Sequence, residues 1–413
     1  MSETSNAAEY LASDPATTSA DARTLEDHPP VIMFGESLTG LGSLRCLASA
    51  RIASFAVCPE DALPRRSRWY RPLPGTETRV PRPADLPDFL EGLSLPRAVL
   101  LPCADDWAEA VARLPENLKR RFPSSISSAD VISTMVDKWR FAQTLERLGI
   151  PHPETELVES LDQLRSLPEE KFPNRFLKPL NSLQFSKRHG IKAFLIKNKA
   201  DALSIMAKGD AAGTTDFPIL LQQYVAGPPT NHYFIDGFVD RHGRVCTLFA
   251  RKRLRMFPPT LGNSTFMVST TTDAVQGAID SLKALLAGTG YRGIFSAEYK
   301  LDDRDGVFKI LEVNARPWWF IEFAARAGVN VCAMSYQDAL ERPVADVSIY
   351  RVGLRCVFLP NDIKLLTSSK RGLVENLRWA RSLVGAHHCL SRWNDMWPAV
   401  TYFASVFSRR SKG

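Results

Sequence analysis

Apolar and polar positions alternate in two runs between Phe295 and Asn314, and the runs flank the acidic, glycine-bearing stretch Asp302-Asp303-Arg304-Asp305-Gly306. Alternation on both sides of such a turn predicts a β-hairpin, with Phe295–Leu301 and Val307–Asn314 as its strands. Apolar runs at Val31–Phe34, Ile52–Cys58 and Ala98–Leu101 predict further strands, with a helical run through Ala50 between the first two. A strand–loop–helix–strand opening of this kind predicts a parallel sheet. A short β/α module is expected from Thr155 to Ser166, and strands at Arg175–Pro179, Phe194–Ile196 and Phe217–Val225. Asn231–Asp240 and Val245–Arg251, around the turn Asp240-Arg241-His242-Gly243, predict an antiparallel meander. Helical spacing predicts helices from Lys138 through Leu148, over 199–208, over 273–289 and around 320–327, the first and last closed by Gly149 and Gly328. The pattern is that of a mixed α/β and α+β protein, without a repeat of solenoid length.

Composition adds three points. The 413 residues suffice for two or three domains with a sizeable core. The seven cysteines are odd in number and form no C-x-x-C pair. That argues against a disulfide framework or a zinc site, and for a reducing compartment. With no run resembling a signal peptide and no stretch of apolar residues long enough to span a bilayer, a cytoplasmic location is expected.

The net charge of +7 is uneven: residues 1–30 hold six acids and one arginine, whereas 350–413 hold eleven Lys and Arg against three acids. Residues 1–29 lack an apolar period and are expected to be disordered. The basic segment combines helical apolar spacing at Leu373, Leu377, Ala380 and Val384 with Trp379, Trp393 and Trp397, and its aromatic end is followed by Arg409-Arg410. Two readings stay open for this segment and above all for its tail Trp397–Phe407, an interfacial amphipathic segment in weak contact with a membrane surface and a stripe packed on its own domain. The second is the expectation, because apolar helical stripes are usually core. No nucleic-acid reader motif accompanies the charge, so nucleic acid is not an expected partner.

Candidate chemistry gathers on the hairpin. Glu298 and Glu312 lie at similar distances from the turn on opposite strands, and Asn314, two residues beyond Glu312, shares its face. Two carboxylates and an amide oxygen suit a hard cation such as Mg²⁺, which shares its shell with phosphates. A solvated hairpin with a charged wet face is the alternative. Arg316 adds a fixed positive charge beside them. Lys178 sits within the apolar strand Arg175–Pro179, where burial is costly unless it meets an anion. Lys138 opens a helix after Asp137. Gly35, Gly40 and Gly42 permit close approach of the backbone to a ligand but form no G-x-G-x-x-G, and no G-x-x-x-x-G-K-[ST] exists. Asp105 and Asp106 follow the strand end at Pro102, as ligand-facing groups or as helix caps. Arg251, Lys252, Arg253 and Arg255 make a basic cluster, read either as a cradle for an acidic substrate or as surface charge.

Glu312-Val313-Asn314-Ala315-Arg316 matches an E-x-N-x-R signature, and Asp137-Lys138 and Lys178-Pro179 match two further lysine motifs in order. On these residues the chain, over roughly 31–345, resembles the ATP-grasp superfamily. The run Ala250–Ser264 is similar, more loosely, to its carboxylate–amine ligases related to D-aspartate ligase. The resemblance implies a Rossmann-like preATP-grasp domain at 30–130 and an ATP-grasp domain at 131–345, with subdomains 131–225 and 226–345. A basic helical segment at 346–413 would follow. It implies ATP phosphates at Lys138 and Lys178, and a nucleotide hinge at Gln222, Gln223, Tyr224 and Val225, with Asn231 near the ribose. The hinge is neutral at Gln222 and Gln223, where the family usually carries an acid. One or two Mg²⁺ ions, with Mn²⁺ as an option, would be held by Glu298, Glu312 and Asn314. Catalysis would involve Arg316, with Lys252 and Arg253 holding an acidic substrate. The implied activity activates a carboxylate as an acyl phosphate and joins it to an amine, releasing ADP and phosphate. A kinase on the same fold and a non-catalytic nucleotide-binding module are the alternatives, and a homodimer is an open option.

Overall fold

The computed structural model describes residues 28–74, 80–180, 193–211, 217–259, 261–368 and 372–410. The acidic stretch 1–27 and the polar loop expected at 181–190 lie outside the described residues.

Three sheets organise these residues. The first holds β1 (Val31–Phe34), β2 (Ser54–Val57) and β3 (Val99–Pro102) in the order β2-β1-β3, all parallel. Both faces of β1 are apolar and buried, as expected of a strand covered by helices on each side. Ile32, Phe34 and Leu100 pack against Leu86, Leu90, Val111 and Phe122. The alternate residues Val31, Met33 and Leu101 join a larger core that also contains Phe249, Phe320 and Phe323. That shared core fastens the parallel sheet to the rest of the protein. At the carboxyl end of the sheet Gly35 is required by close approach: a Cβ there would stand 2.6 Å from Cys103 Cβ.

The second sheet holds β4 (Thr155–Val158), β5 (Arg175–Pro179), β6 (Phe194–Ile196) and β7 (Ile219–Gln223) in the order β4-β7-β5-β6, antiparallel throughout. Leu177, Ile196, Ile219 and Leu221 form its own small core with Leu164 and Ala202 of two covering helices. The helix Lys138–Arg147 leads into this unit. Asp137 caps it, its side chain accepting from the backbone N–H of Trp139 and Arg140 at 2.9 Å each.

The third sheet has seven strands, in the order β12-β11-β8-β9-β10-β13-β14. They are β8 (His232–Val239), β9 (Val245–Phe257), β10 (Asn263–Thr270), β11 (Gly293–Leu301), β12 (Phe308–Asn314), β13 (Arg355–Val357) and β14 (His387–His388). Ile235, Phe295, Ala297, Tyr299 and Ile310 on one face pack against Ile279, Leu282 and Leu286 of the helix Gln276–Thr289. The opposite face carries the charged residues of the hairpin.

Two expectations for the C-terminal segment change. It is helical at Leu359–Thr367, Leu373–Leu383 and Trp397–Arg410, but it also supplies β13 and β14, so the large sheet runs across the expected boundary at 345. The stripe Leu373, Leu377 and Val384, expected to be core, faces outward: these residues are 75%, 61% and 70% exposed. The inward face of that helix is polar at its key contacts, with Trp379 Nε1 donating to Asp362 at 2.7 Å and Ser382 Oγ accepting from Arg255 at 3.0 Å.

Candidate active site

The hairpin sets its two carboxylates side by side. Glu298 pairs directly with Glu312, and Ser296 with Asn314, so Glu298, Glu312 and Asn314 share one face. A register shift falls immediately after Glu298 toward the turn. The same face continues across β8 and β9, where Phe234 opposes Glu298 and Arg251 opposes Phe234. Alternation then brings His232 and Arg253 to it. Glu298 Oε1 accepts from His232 Nδ1 at 2.8 Å and from Arg253 Nη2 at 2.9 Å. Arg253 is itself held by Ser264 Oγ at 2.8 Å. Burial pushes the His232 imidazole below its usual range despite the carboxylate beside it.

Lys252 is not brought to this face. It sits between Arg251 and Arg253 on β9, and side chains on a strand alternate. Its Nζ lies 5.0 Å from the centroid of Tyr233, which itself packs edge-on against Phe308 at 5.4 Å on the opposite face of the sheet. Arg251, by contrast, is buried on the hairpin side, where it forks onto Asp236 at 2.6 and 3.1 Å. That pair is internal structure, since Arg251 and Asp236 are 2% and 0% exposed.

The two lysines of the preceding unit converge on the hairpin. Burial, and then the neighbouring charge of Lys178, lower Lys138 to about 8, while Glu312 acts in the opposite direction. Lys138, Lys178 and Glu312 are therefore within electrostatic reach of one another, although they come from a helix start, a strand of the second sheet and a strand of the third. Lys138 Nζ donates to the carbonyls of Pro179 and Leu180 at 2.8 and 3.0 Å. Lys178 Nζ meets Gln222 Oε1, and Gln222 Nε2 donates to Thr155 Oγ1 at 2.9 Å. The partnership follows from register, because Lys178 opposes Leu220 and Gln222 is two residues on, hence on the same face.

The hinge strand is held by backbone bonds within its own unit and is tied to the hairpin by Lys300. Gln223 and Tyr224 donate their N–H groups to Glu154 O and Asn174 O at 2.8 Å each. The Val225 carbonyl accepts from Lys300 Nζ at 2.7 Å, and the same Nζ stands 4.4 Å from the Tyr224 ring centroid. Burial, and then Arg253, lower Lys300 to about 8. Asn231 Nδ2 donates to Leu301 O at 3.2 Å and to Asp303 Oδ1 at 2.6 Å, which joins the turn of the hairpin to the hinge. Gly227 beside it has φ +110°, and a Cβ there would come within 2.6 Å of Asn231 Nδ2.

Arg316 reaches across to the first sheet. Its guanidinium meets both carboxylate oxygens of Asp105, at the start of the helix that follows β3. Thus the structure brings Glu298, Glu312, Asn314, Arg253, Lys138, Lys178 and the 222–225 hinge around one region, with Arg316 at its border with the parallel sheet. His232, Lys300 and Asp105 join them. Lys300 had the signal that marked Lys178, a lysine inside an apolar strand. His232 had none, since only the pairing of β8 with β11 brings it to Glu298.

No family model matches this chain. The D-aspartate ligase of Enterococcus faecium (strain Aus0004) is 24% identical over 250 residues, which is 58% of this chain and 58% of that relative. The chain's match therefore spans less than two thirds of the relative's length. Among solved structures, the ADP complex of the N5-carboxyaminoimidazole ribonucleotide synthetase PurK superposes with a TM-score of 0.62 at 14% identity, covering 86% of this chain and 96% of the other. The L-amino acid ligase of Bacillus licheniformis superposes with a TM-score of 0.54 at 13% identity, covering 76% and 74%. The fold of this chain is the ATP-grasp fold.

Proposed function

We propose that this ATP-grasp chain is an ADP-forming carboxylate–amine ligase. The observation that carries the reading is the cross-strand pairing of Glu298 with Glu312 beside Asn314, with Lys138 and Lys178 in electrostatic reach of Glu312. The activities that name the relatives, D-aspartate ligase and L-amino acid ligase, favour ligation over simple phosphorylation and make amino acids the first substrates to try.

The donor set fits Mg²⁺, because all three groups offer hard oxygen ligands and the cation prefers to complete its shell with phosphate oxygens and water. Among the described residues no cluster of three His, Cys, Asp or Glu side chains could hold a metal alone, which suits a cation that arrives with its nucleotide. When bound, Mg²⁺ screens the charge of the transferred phosphoryl group. ATP and Mg²⁺ belong to the proposal.

The chain's own residues then have these parts. Lys138 and Lys178, when protonated, place positive charge along the phosphates, where charge develops as the bond between the γ-phosphorus and the bridging oxygen breaks. Gln222 orients Lys178. The Gln222–Val225 segment lies along the base, and Asn231 borders the ribose. Arg253 steadies Glu298 and, with Arg316, presents positive charge to the acidic substrate. A carboxylate oxygen of that substrate attacks the γ-phosphorus and ADP leaves. The amine nitrogen then attacks the acyl carbon, the carbon–oxygen bond to phosphate breaks, and the nitrogen loses a proton. Lys252 has no part in this scheme, because it projects from the other face.

A reducing, cytoplasmic setting is part of the same proposal, supported by seven cysteines that are all buried thiols. Among the described residues no helix is long and apolar enough to cross a membrane.

The test is ADP release with ATP, Mg²⁺ and panels of carboxylates and amino acids, with the products identified by mass spectrometry. An amide product that needs both substrates, and disappears in Glu312→Gln, supports the reading. A stable phosphorylated product formed without any amine assigns a kinase instead. Nucleotide binding with no turnover on any panel member assigns a binding module.

A further inference from the structure

The outward face of the helix Leu373–Leu383 is independent of the proposed reaction and asks for its own explanation. Trp379 and Ser382 hold the helix to the body, through Asp362 and Arg255. Successive residues turn by about 100° around a helix, so Leu373, Leu377 and Val384 project together on the side away from those anchors. Val374 adjoins them and is 60% exposed. Exposed aliphatic residues are ordinary when scattered, but a contiguous set on one helix face marks an interaction surface.

The charge of the segment that carries this face is one-sided. The segment 350–413 has eleven Lys and Arg and three acids, Asp362, Glu375 and Asp395. Asp362 is 0% exposed and is taken by Arg255, Thr265 and Trp379. Asp395 is 3% exposed and is taken by Arg45, Ser67 and the Arg68 N–H. Only Glu375 reaches solvent, where it accepts from the Gly372 N–H of its own helix at 3.2 Å. Arg378 and Arg381 are exposed on the same helix as the aliphatic face. The fold thus takes two of the segment's three acids internally, and on this helix leaves Arg378 and Arg381 exposed against the single acid Glu375. In the same segment Trp393 is 96% exposed and Trp397 60%. Indole rings outside a core favour the headgroup level of a bilayer, where one end is apolar and the other wet.

We propose that this face docks on the surface of an anionic lipid bilayer, with the aliphatic side of Leu373–Leu383 at the acyl boundary and Arg378 and Arg381 among the headgroups. A short helix with an apolar face and flanking arginines has the chemistry of an interfacial element that lies on a membrane without crossing it. A second copy of this chain is the competing occupant, and the experiment separates the two.

The full-length protein is co-sedimented with phosphatidylcholine vesicles and with vesicles that also contain phosphatidylglycerol. The expected result is roughly tenfold more bound protein on the anionic vesicles, reversed by high salt, since apolar burial and charge attraction act together. Leu377→Glu with Val374→Glu abolishes the binding, and Arg378→Glu with Arg381→Glu reduces it separately. All four positions are exposed, so circular dichroism and melting temperature stay at the parent's values and establish that the variants fold. Equal binding to neutral and anionic vesicles, or binding unchanged by Leu377→Glu, overturns the proposal. So does a concentration-dependent dimer, in the absence of vesicle binding, that Leu377→Glu dissolves, because it assigns the face to a second copy. Should a charge-reversed variant fail to fold, quenching of the parent's tryptophan fluorescence by brominated anionic lipid decides the question, and absence of quenching overturns it.

Discussion

Arg316 forks onto Asp105, with Nε to Oδ1 at 2.8 Å and Nη2 to Oδ2 at 3.1 Å, and so joins the end of the candidate catalytic hairpin to the carboxyl edge of the parallel sheet. A planar guanidinium bound at two points has its orientation set as well as its position. Asp105 is 45% exposed at its side chain, so the pair adds little to stability. Its value lies in aiming Arg316. Asp105→Asn is expected to lower kcat/KM about tenfold with little change in melting temperature, and Arg316→Lys to lower it further, because an ammonium cannot reproduce the fork. Steady-state ADP release and a thermal melt on each variant check this.

Glu312→Gln removes one of two paired carboxylates without changing shape. Loss of Mg²⁺-dependent ADP formation by a factor of about 100 or more is expected, in line with losing a group that acts only as charge develops. Glu312 also raises the Lys138 pKa, so the variant's Lys138 releases its proton at lower pH than the parent's. Measuring the pH profile of any residual turnover separates this second effect from the first.

The depressed lysines give a pH dependence with a definite sign. Lys138 releases its proton at about 8 in the fold, against an ordinary value of 10.5. Between these values the unfolded chain binds more protons, so the contribution of Lys138 makes stability rise with pH across that window. Its penalty is complete below about 8 and gone above 10.5. Lys300, also at about 8, acts in the same direction. Denaturant unfolding across the window should show the rise, and Lys138→Met should reduce it. Activity runs the other way, because the lysine must be charged to meet phosphate: kcat/KM falls as pH passes about 8, and bound nucleotide moves the corresponding limb of kcat to higher pH.

Arg45 is 0% exposed and holds three parts of the chain together. Its guanidinium donates to Asp395 at 2.9 Å, to Glu322 at 3.1 Å and to the carbonyl of Cys389 at 2.9 Å. Arg45→Ala leaves two buried carboxylates without their main partner, a change expected to cost about 3–5 kcal/mol. Urea unfolding measures it. The loss should exceed that from Arg82→Ala by several-fold, because the Arg82–Asp85 pair is on the surface.

The hairpin was readable from the sequence because its information is local. Alternation marks the two strands and similar distances from the turn bring Glu298 near Glu312, but the pairing itself depends on the register shift after Glu298, without which Leu311 would stand opposite it and Glu312 would face the other way. Alternation placed Lys252 and Arg253 on opposite faces of β9, although a cluster of like charges drew both into one expectation. The strands of the parallel sheet, the Asp137 cap and the Lys178 strand were likewise local patterns. What tertiary structure alone decided was what each face meets. Arg316 lies 211 positions from Asp105, and His232 reaches Glu298 only through the pairing of β8 with β11. The stripe Leu373, Leu377 and Val384 has the spacing of a core stripe, yet the fold anchors that helix by Trp379 and Ser382 and turns the stripe to solvent. Periodicity specifies which residues stand together. Whether they are buried depends on what packs opposite, and that partner comes from elsewhere in the chain or from outside it.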